Sequence, residues 1–366
     1  MYTETELVKI AKRENNKKRS YLVVNRLQGK HIPVSPKEAL QMFGALAELI
    51  KKSYLTEKLL LIGFAETATA IGAALAAELD SYYIQTTREN IADVGYLYFS
   101  ESHSHATEQK LVKEDIDHII DKVDRIIFAE DEITTGNTIL NIIGILERRY
   151  PDRVKFSVAS VLNGMNPEAR RIYEEKRIDI HYLVRTDHDT YGNRAETYIG
   201  DGVYHKANIT SGPLQVPVFP AGRYLDARRL VKGRDYLDAC RGLWDQAKDF
   251  LASKAGSVLV LGTEEFMFPA LYLSCQMEKM GITVKCHATT RSPIAVSREE
   301  DYPFRERYEL KSLYDRNRIT YIYDLQPYEK VIIVTDAGDG WKEGIISLVN
   351  ALETAGNSDI RIIKWN

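Results

Sequence analysis

Cysteine is scarce: the 366 residues hold 3, at Cys240, Cys275 and Cys286, too widely spaced for a paired metal motif. A low, odd count argues against a disulfide framework and suits a reducing compartment, so the three read as small buried apolar residues. Apolar runs of membrane-spanning length are missing too, and the N-terminus Met1-Tyr-Thr-Glu-Thr-Glu is acidic. Neither a signal peptide nor an anchor is expected, and the expected location is cytoplasmic, with no membrane partner. Excess charge is also absent. With 49 Lys and Arg against 52 Asp and Glu the net charge is -3 (49 less 52), which gives no electrostatic reason for nucleic-acid binding. The length exceeds one typical domain and suggests two, each large enough for a full core.

What is present is a strand, two acids, a turn and a helix within residues 125–138. Ile126, Ile127 and Phe128 form a short apolar run of parallel-strand type, while Ile139, Leu140, Ile142, Ile143, Ile145 and Leu146 recur at helical spacing. A Thr/Gly/Asn turn separates them. At a helix N-terminus such a turn offers backbone N–H groups, hydroxyl donors and the positive end of the helix dipole, so Thr134, Thr135, Gly136, Asn137 and Thr138 suit a phosphate monoester. The preceding acids cannot share that role. Glu130 and Asp131 are placed to accept hydrogen bonds from sugar hydroxyls, or to hold a Mg2+ that a diphosphate shares.

This stretch resembles the phosphoribosyl-diphosphate (PRPP) signature of type I phosphoribosyltransferases. The resemblance implies an α/β fold with a mostly parallel sheet, Mg2+ as cofactor, PRPP and a base-like acceptor as partners, and a homodimer. Purine-salvage members place an acid at the position of Thr134, and a threonine cannot serve as a carboxylate base, so the orotate-like pattern is closer. Glu132 departs from the apolar residue common in that pattern, which puts orotate itself in doubt.

Upstream, residues 21–26 read as a strand and 27–33 as a Gly-containing turn. In orotate phosphoribosyltransferases a Lys-bearing Gly turn in an N-terminal hairpin reaches the acceptor or diphosphate. The resemblance gives that role to Lys30, beside His31; a solvated loop lysine is the other reading. Ser35 caps a helix starting near Pro36. A second buried strand, Leu59 to Ile62, runs into Gly63 and small residues; Ala65, Glu66 and Thr67 stand where the family's diphosphate loop belongs. Arg88, past the strand 82–85, points toward the crevice in which open α/β sheets bind ligands and is a candidate diphosphate contact. Residues 100–110 hold the position of the family's mobile catalytic loop. A lid closing there places Lys110 or a histidine such as His105 on the departing diphosphate; zinc at His103 and His105 lacks further ligands at a convincing spacing. The catalytic candidates are thus Glu130, Asp131, Lys110 and His105.

Strands at 155–162 and 178–184 continue the alternation, and a Pro- and Gly-rich run at 211–222 is the expected junction. It divides a phosphoribosyltransferase-like domain, 1–215, from a second α/β domain, 216–366. That second part echoes the first. Gly262-Thr-Glu264-Glu265 repeats the strand–Gly–helix at Gly63, Thr289-Thr290-Arg291 repeats Thr86-Thr87-Arg88, and Asp336-Ala-Gly338-Asp-Gly340 repeats the PRPP signature with one acid fewer. Loops after successive parallel strands share one sheet edge, so Glu264, Arg291 and Asp336 are expected to converge there, with Arg291 holding an anionic group or simply pairing with Asp336.

Thr290-Arg291-Ser292-Pro293 is also the name-giving motif of the TRSP domain, found behind orotate-like phosphoribosyltransferases in ter (tellurium-resistance, stress-response) clusters. That resemblance covers nearly the whole chain. It implies a PRPP-dependent enzyme in a module making a nucleoside-like compound, with the acceptor undefined. A PRPP-sensing regulator or scaffold without catalysis is the alternative of a different class.

Overall fold

A computed structural model of the chain describes residues 2–14, 19–99, 109–209, 215–251, 256–338 and 342–366. In chain order its elements are α1 (Glu4–Leu7), β1 (Val8–Lys12), β2 (Tyr21–Asn25), α2 (Pro36–Ser53), β3 (Leu59–Gly63), α3 (Thr69–Glu78), β4 (Tyr82–Gln85), β5 (Tyr96–Phe99), β6 (Gln109–Val112), α4 (Lys113–Ile119), β7 (Arg125–Ile133), α5 (Asn137–Arg149), β8 (Lys155–Asn163), α6 (Pro167–Glu175) and β9 (Asp179–Arg185). They continue with α7 (Tyr191–Thr197), β10 (Val203–His205), β11 (Val218–Ala221), β12 (Val231–Lys232), α8 (Gly233–Leu251), β13 (Ser257–Gly262), α9 (Phe268–Lys279), β14 (Thr283–Ala288), β15 (Glu306–Lys311), β16 (Ile319–Tyr323), β17 (Lys330–Thr335), α10 (Lys342–Thr354) and β18 (Ile360–Trp365).

Two compact units interleave in sequence. The first gathers Met1–Glu4, Leu40–His188 and Leu225–Asp238; the second gathers Thr5–Ala39, Asp189–Tyr224 and Ala239–Asn366. This differs from a single division at 215/216, and strand pairing and packing give the reason. β12 returns to pair antiparallel with β4 of the first unit. Conversely Ala11, Leu22 and Val24 of the N-terminal hairpin are buried with Ile294, Val296, Phe304 and Tyr323 of the second.

The first unit is built on a six-stranded sheet of order β12-β4-β3-β7-β8-β9, parallel throughout except at the β12 edge. Continuous apolar runs such as Leu60, Leu61 and Ile62 or Ile126, Ile127 and Phe128 are fully buried, as strands covered on both faces require. In α5 the buried positions Ile139, Ile142, Ile143 and Leu146 follow the helical repeat and lay one stripe on the core. The small-residue helix α3 is buried along most of its length. It can approach because a Cβ on Gly72 would lie 2.9 Å from the Gly63 Cα and 2.8 Å from the Tyr83 ring.

The second unit holds an all-parallel sheet of order β11-β18-β17-β13-β14 and a three-stranded sheet β10-β15-β16. Leu259, Leu261, Ile333 and Ile362 meet Ile345, Leu348 and Leu352 of α10 in its core. Its strand order β14-β13-β17-β18 repeats β4-β3-β7-β8 of the first unit. The correspondence reaches single hydrogen bonds. Ala65 N–H donates to Thr86 Oγ1 at 2.8 Å, and Glu264 N–H donates to Thr289 Oγ1 at 2.9 Å. Thr86 N–H reaches the Gly63 carbonyl at 2.9 Å, and Thr289 N–H the Gly262 carbonyl at 3.2 Å. Thr87 bridges to Lys110 as Thr290 bridges to Tyr321. The second unit is thus a second copy of the same core. Among the described residues no helix is long and apolar enough to cross a membrane, and all three cysteines are buried and free.

Candidate active site

The strand β7 carries its apolar run through Ala129 and then places three half-buried carboxylates, Glu130, Asp131 and Glu132, at its carboxyl end. Gly136 makes the turn into α5 with φ of +68°, a conformation that favours glycine. Gly136 itself brings no side-chain cap, and the first-turn Asn137 N–H donates to Thr135 Oγ1 at 3.4 Å, a long contact that a phosphate oxygen can replace. Behind the turn stands Tyr173 of α6, fully buried, whose hydroxyl donates to the Gly136 carbonyl at 2.8 Å. A Cβ at position 136 would lie 2.3 Å from that hydroxyl. Burial, and after it the charge of Glu130, raises the Tyr173 phenol and keeps it a donor.

The turn after β3 brings Ala65, Glu66 and Thr67 beside these acids, and the Ala65–Glu66 peptide is cis. Thr67 Oγ1 donates to Asp131 Oδ1 at 2.9 Å, which joins the expected diphosphate loop to the signature. Burial, and then the neighbouring Glu132 carboxylate, push the Asp131 carboxyl up to about 6 against the Thr67 hydrogen bond. A cation at this point favours the ionised form. The donor set is hard oxygen from adjacent carboxylates, which suits Mg2+. Among the described residues no group of three His, Cys, Asp or Glu side chains forms a complete metal cage. Glu130 and Asp131 are the residues that would hold a Mg2+ there.

Of the other expected residues, Arg88 lies in the same unit, in the bend just after the Thr87 bridge. Lys110 departs from its expected setting. It is part of strand β6, paired with Tyr98, and its ammonium donates to the Glu89 carbonyl at 3.2 Å and to Asn90 Oδ1, over the Tyr96 ring. The reason is the β5–β6 ladder, which fixes 109–112 as sheet. His103 and His105, with the rest of 100–108, lie outside the described residues. Lys30 departs further. It belongs to the second unit, is fully buried, and donates to the carbonyls of Glu264 at 2.6 Å and Thr289 at 2.8 Å, so its charge is spent on backbone rather than offered to a diphosphate.

Tyr173 carried no assigned role in the sequence; nothing local in 167–175 marks it as the backing of a turn in another segment. His188 lies in the segment 185–189, which by resemblance stands where the family contacts its acceptor base, an exposed loop being the equal alternative reading. Its Nε2 lies 3.3 Å from Glu132 Oε1 and 2.9 Å from Thr186 Oγ1, and a Cβ on Gly164 would meet its ring at 2.1 Å. Its place just past a parallel strand was the available signal.

In the second unit Glu264, Arg291 and Asp336 follow β13, β14 and β17. Arg291 Nε donates to Glu264 Oε2 at 2.9 Å and its guanidinium also reaches Glu265 at 3.3 Å. Asp336 is held otherwise, by the hydroxyls of Tyr314 at 2.6 Å and Tyr224 at 2.7 Å. Tyr314 also meets Thr263 Oγ1 at 2.7 Å, so Asp336 joins the same cluster through a tyrosine instead of through Arg291. The final turn of that motif is described only to Gly338.

Residues 7–188 match the family model described as phosphoribosyl transferase. Residues 235–352 match the model described as the TRSP domain C-terminal to that family. Solved structures to which the chain is similar include an adenine phosphoribosyltransferase from Rhodothermus marinus, at 16% identity over 50% of this chain and 96% of that one, with a TM-score of 0.35. The Giardia lamblia adenine enzyme solved with 9-deazaadenine shares 15% over 50% and 95%, with a TM-score of 0.35. A hypoxanthine-guanine phosphoribosyltransferase from Bacillus anthracis shares 14% over 43% and 85%, with a TM-score of 0.28. No curated protein matches the chain in sequence. The first family match takes in the whole strand, acid pair, turn and helix of β7–α5, and the second takes in the Arg291 turn; the chain belongs to the phosphoribosyltransferases that carry a TRSP domain behind them.

Proposed function

We propose that the first unit transfers ribose 5-phosphate from PRPP to a ring nitrogen of a base-like acceptor. The bond from the anomeric carbon to diphosphate breaks, a bond from the acceptor nitrogen forms, and the acceptor proton is lost. The observation that carries this reading is the acid pair Glu130–Asp131, separated by one tight turn from the N-terminus of α5, where Gly136 brings no capping side chain. Phosphate on residues 134–138 leaves the ribose hydroxyls toward the two carboxylates. Ala65, Glu66 and Thr67 then face the diphosphate, with Arg88 as its cation. Mg2+, when bound at Glu130 and Asp131, supplies charge to the leaving group. The transition state is oxocarbenium-like, so the chain's own contribution is positioning and charge stabilisation.

A nucleoside-like product of a ter module, a cytoplasmic setting and a homodimeric enzyme, carried over from the sequence reading, are parts of the same proposal. Incubating the protein with PRPP, Mg2+ and cell extracts, then following diphosphate release and new ribosylated masses, tests it. Diphosphate release that depends on an added extract fraction is the expected result. Tight PRPP binding without any turnover across such fractions would favour a sensing role instead.

A further inference from the structure

The second copy of the core keeps the architecture of the proposed diphosphate loop and changes its charge. In the first unit that loop presents Ala65 next to the Thr86 hydroxyl; in the second the equivalent position is Glu264. Glu264 is fully buried and sits at φ of +48°. Its Oε2 accepts from Arg291 at 2.9 Å and from Arg318 at 2.9 Å, and its Oε1 accepts from Ser312. Arg291 is the counterpart of Arg88, one residue past the repeated bridge. Ser312 and Arg318 come from the β15–β16 turn, which holds the same place in the chain order as the β5–β6 turn. Lys30 completes the set by gripping the Glu264 carbonyl.

Three cations and a hydroxyl therefore converge on one carboxylate and its backbone. That is a donor set for an anion, and here the chain itself supplies the anion. Resting on the transferase reading of the first unit, we infer that Glu264 fills the diphosphate place of the second copy as an internal ligand. The chain accordingly has one PRPP site, and the second copy is held shut as a structural support. A carboxylate can play this part because two guanidiniums address it by charge-assisted hydrogen bonds, as they would address a phosphate.

Removing the internal anion tests the assignment. Glu264→Gly avoids strain at the positive φ and takes the shared carboxylate from Arg291, Arg318 and Ser312, while Arg291 keeps Glu265 at 3.3 Å and Arg318 keeps Asp315 at 3.5 Å. The variant should melt several degrees below the unaltered protein in chloride. Inorganic phosphate or acetate at matched ionic strength should restore a large part of that loss, and adding Arg291→Ala should abolish the response. An equal phosphate response in the unaltered protein, or none in E264G, overturns the inference. Titration of the unaltered protein with PRPP and Mg2+ supplies a second measurement should E264G not fold. One equivalent per chain supports the assignment and two overturn it. No binding at all would count against the transferase reading alone, and the anion response of E264G would then decide this one.

Discussion

At the scale of single residues, Asp131 is held in an uncomfortable state. Its carboxyl is raised because burial and Glu132 disfavour the charge, and Thr67 only partly offsets them. Asp131→Asn removes the charge and keeps an acceptor for Thr67, so the fold should be retained with an unchanged or slightly higher melting temperature. Mg2+-dependent PRPP affinity should fall on the order of 10- to 100-fold, read by calorimetric titration. Unaltered titration curves would remove Asp131 from the metal role. A second residue gives a pH signature. His287 is fully buried beside the Tyr323 carbonyl, and burial first, with Lys30 adding to it, pushes its imidazole down to about 4. The unfolded chain takes up that proton near its ordinary value of 6.5 while the folded chain does not. Stability is therefore lost as pH falls from about 6.5 toward 4, by on the order of 3 kcal/mol over the window. In His287→Gln the denaturant midpoint should decline less over that window, leaving mainly the carboxylate contribution at lower pH; an identical slope would show that His287 is already protonated in the fold.

At the scale of elements, β7 and α5 could be read directly because everything that defines them lies within one contiguous stretch: an apolar run, acids, a glycine in the left-handed region and a helical repeat. The helix at Pro36 and the strand at Tyr82 were legible for the same local reason. The N-terminal turn was not. Its sequence shows a lysine after a glycine, but the acceptors of Lys30 are carbonyls of Glu264 and Thr289, more than 200 positions away, and no local pattern encodes them. Likewise the Pro- and Gly-rich run near 215 signals a bend in the chain without saying which sheet the flanking segments join. Lys30→Met tests the reassigned role. It leaves two buried carbonyls without their donor, at about 1–3 kcal/mol each. Chemical denaturation should report that loss while PRPP affinity stays within about 2-fold, a difference of less than ~0.5 kcal/mol. A loss of PRPP affinity with full stability would return Lys30 to the substrate.

At the scale of the molecule, interleaving means that neither unit is a contiguous piece of sequence. A fragment of 216–366 lacks the hairpin β1–β2, β10 and Lys30, and so exposes Ile294, Val296, Phe304 and Tyr323 of the cluster they help bury. It should give a poorly dispersed amide spectrum and rapid proteolysis. Adding 1–39 as a separate peptide should raise protection, and a stable, well-dispersed 216–366 fragment would contradict the division into these units. The hairpin also sets a schedule for synthesis. Ala11, Leu22 and Val24 leave the ribosome well before Phe304 and Tyr323, the residues that bury them. At about 5–20 residues per second that interval runs to tens of seconds, during which the nascent hairpin lacks these partners. Pausing late in translation should therefore cost yield, and a ribosome-associated chaperone that shelters the first forty or so residues should recover it.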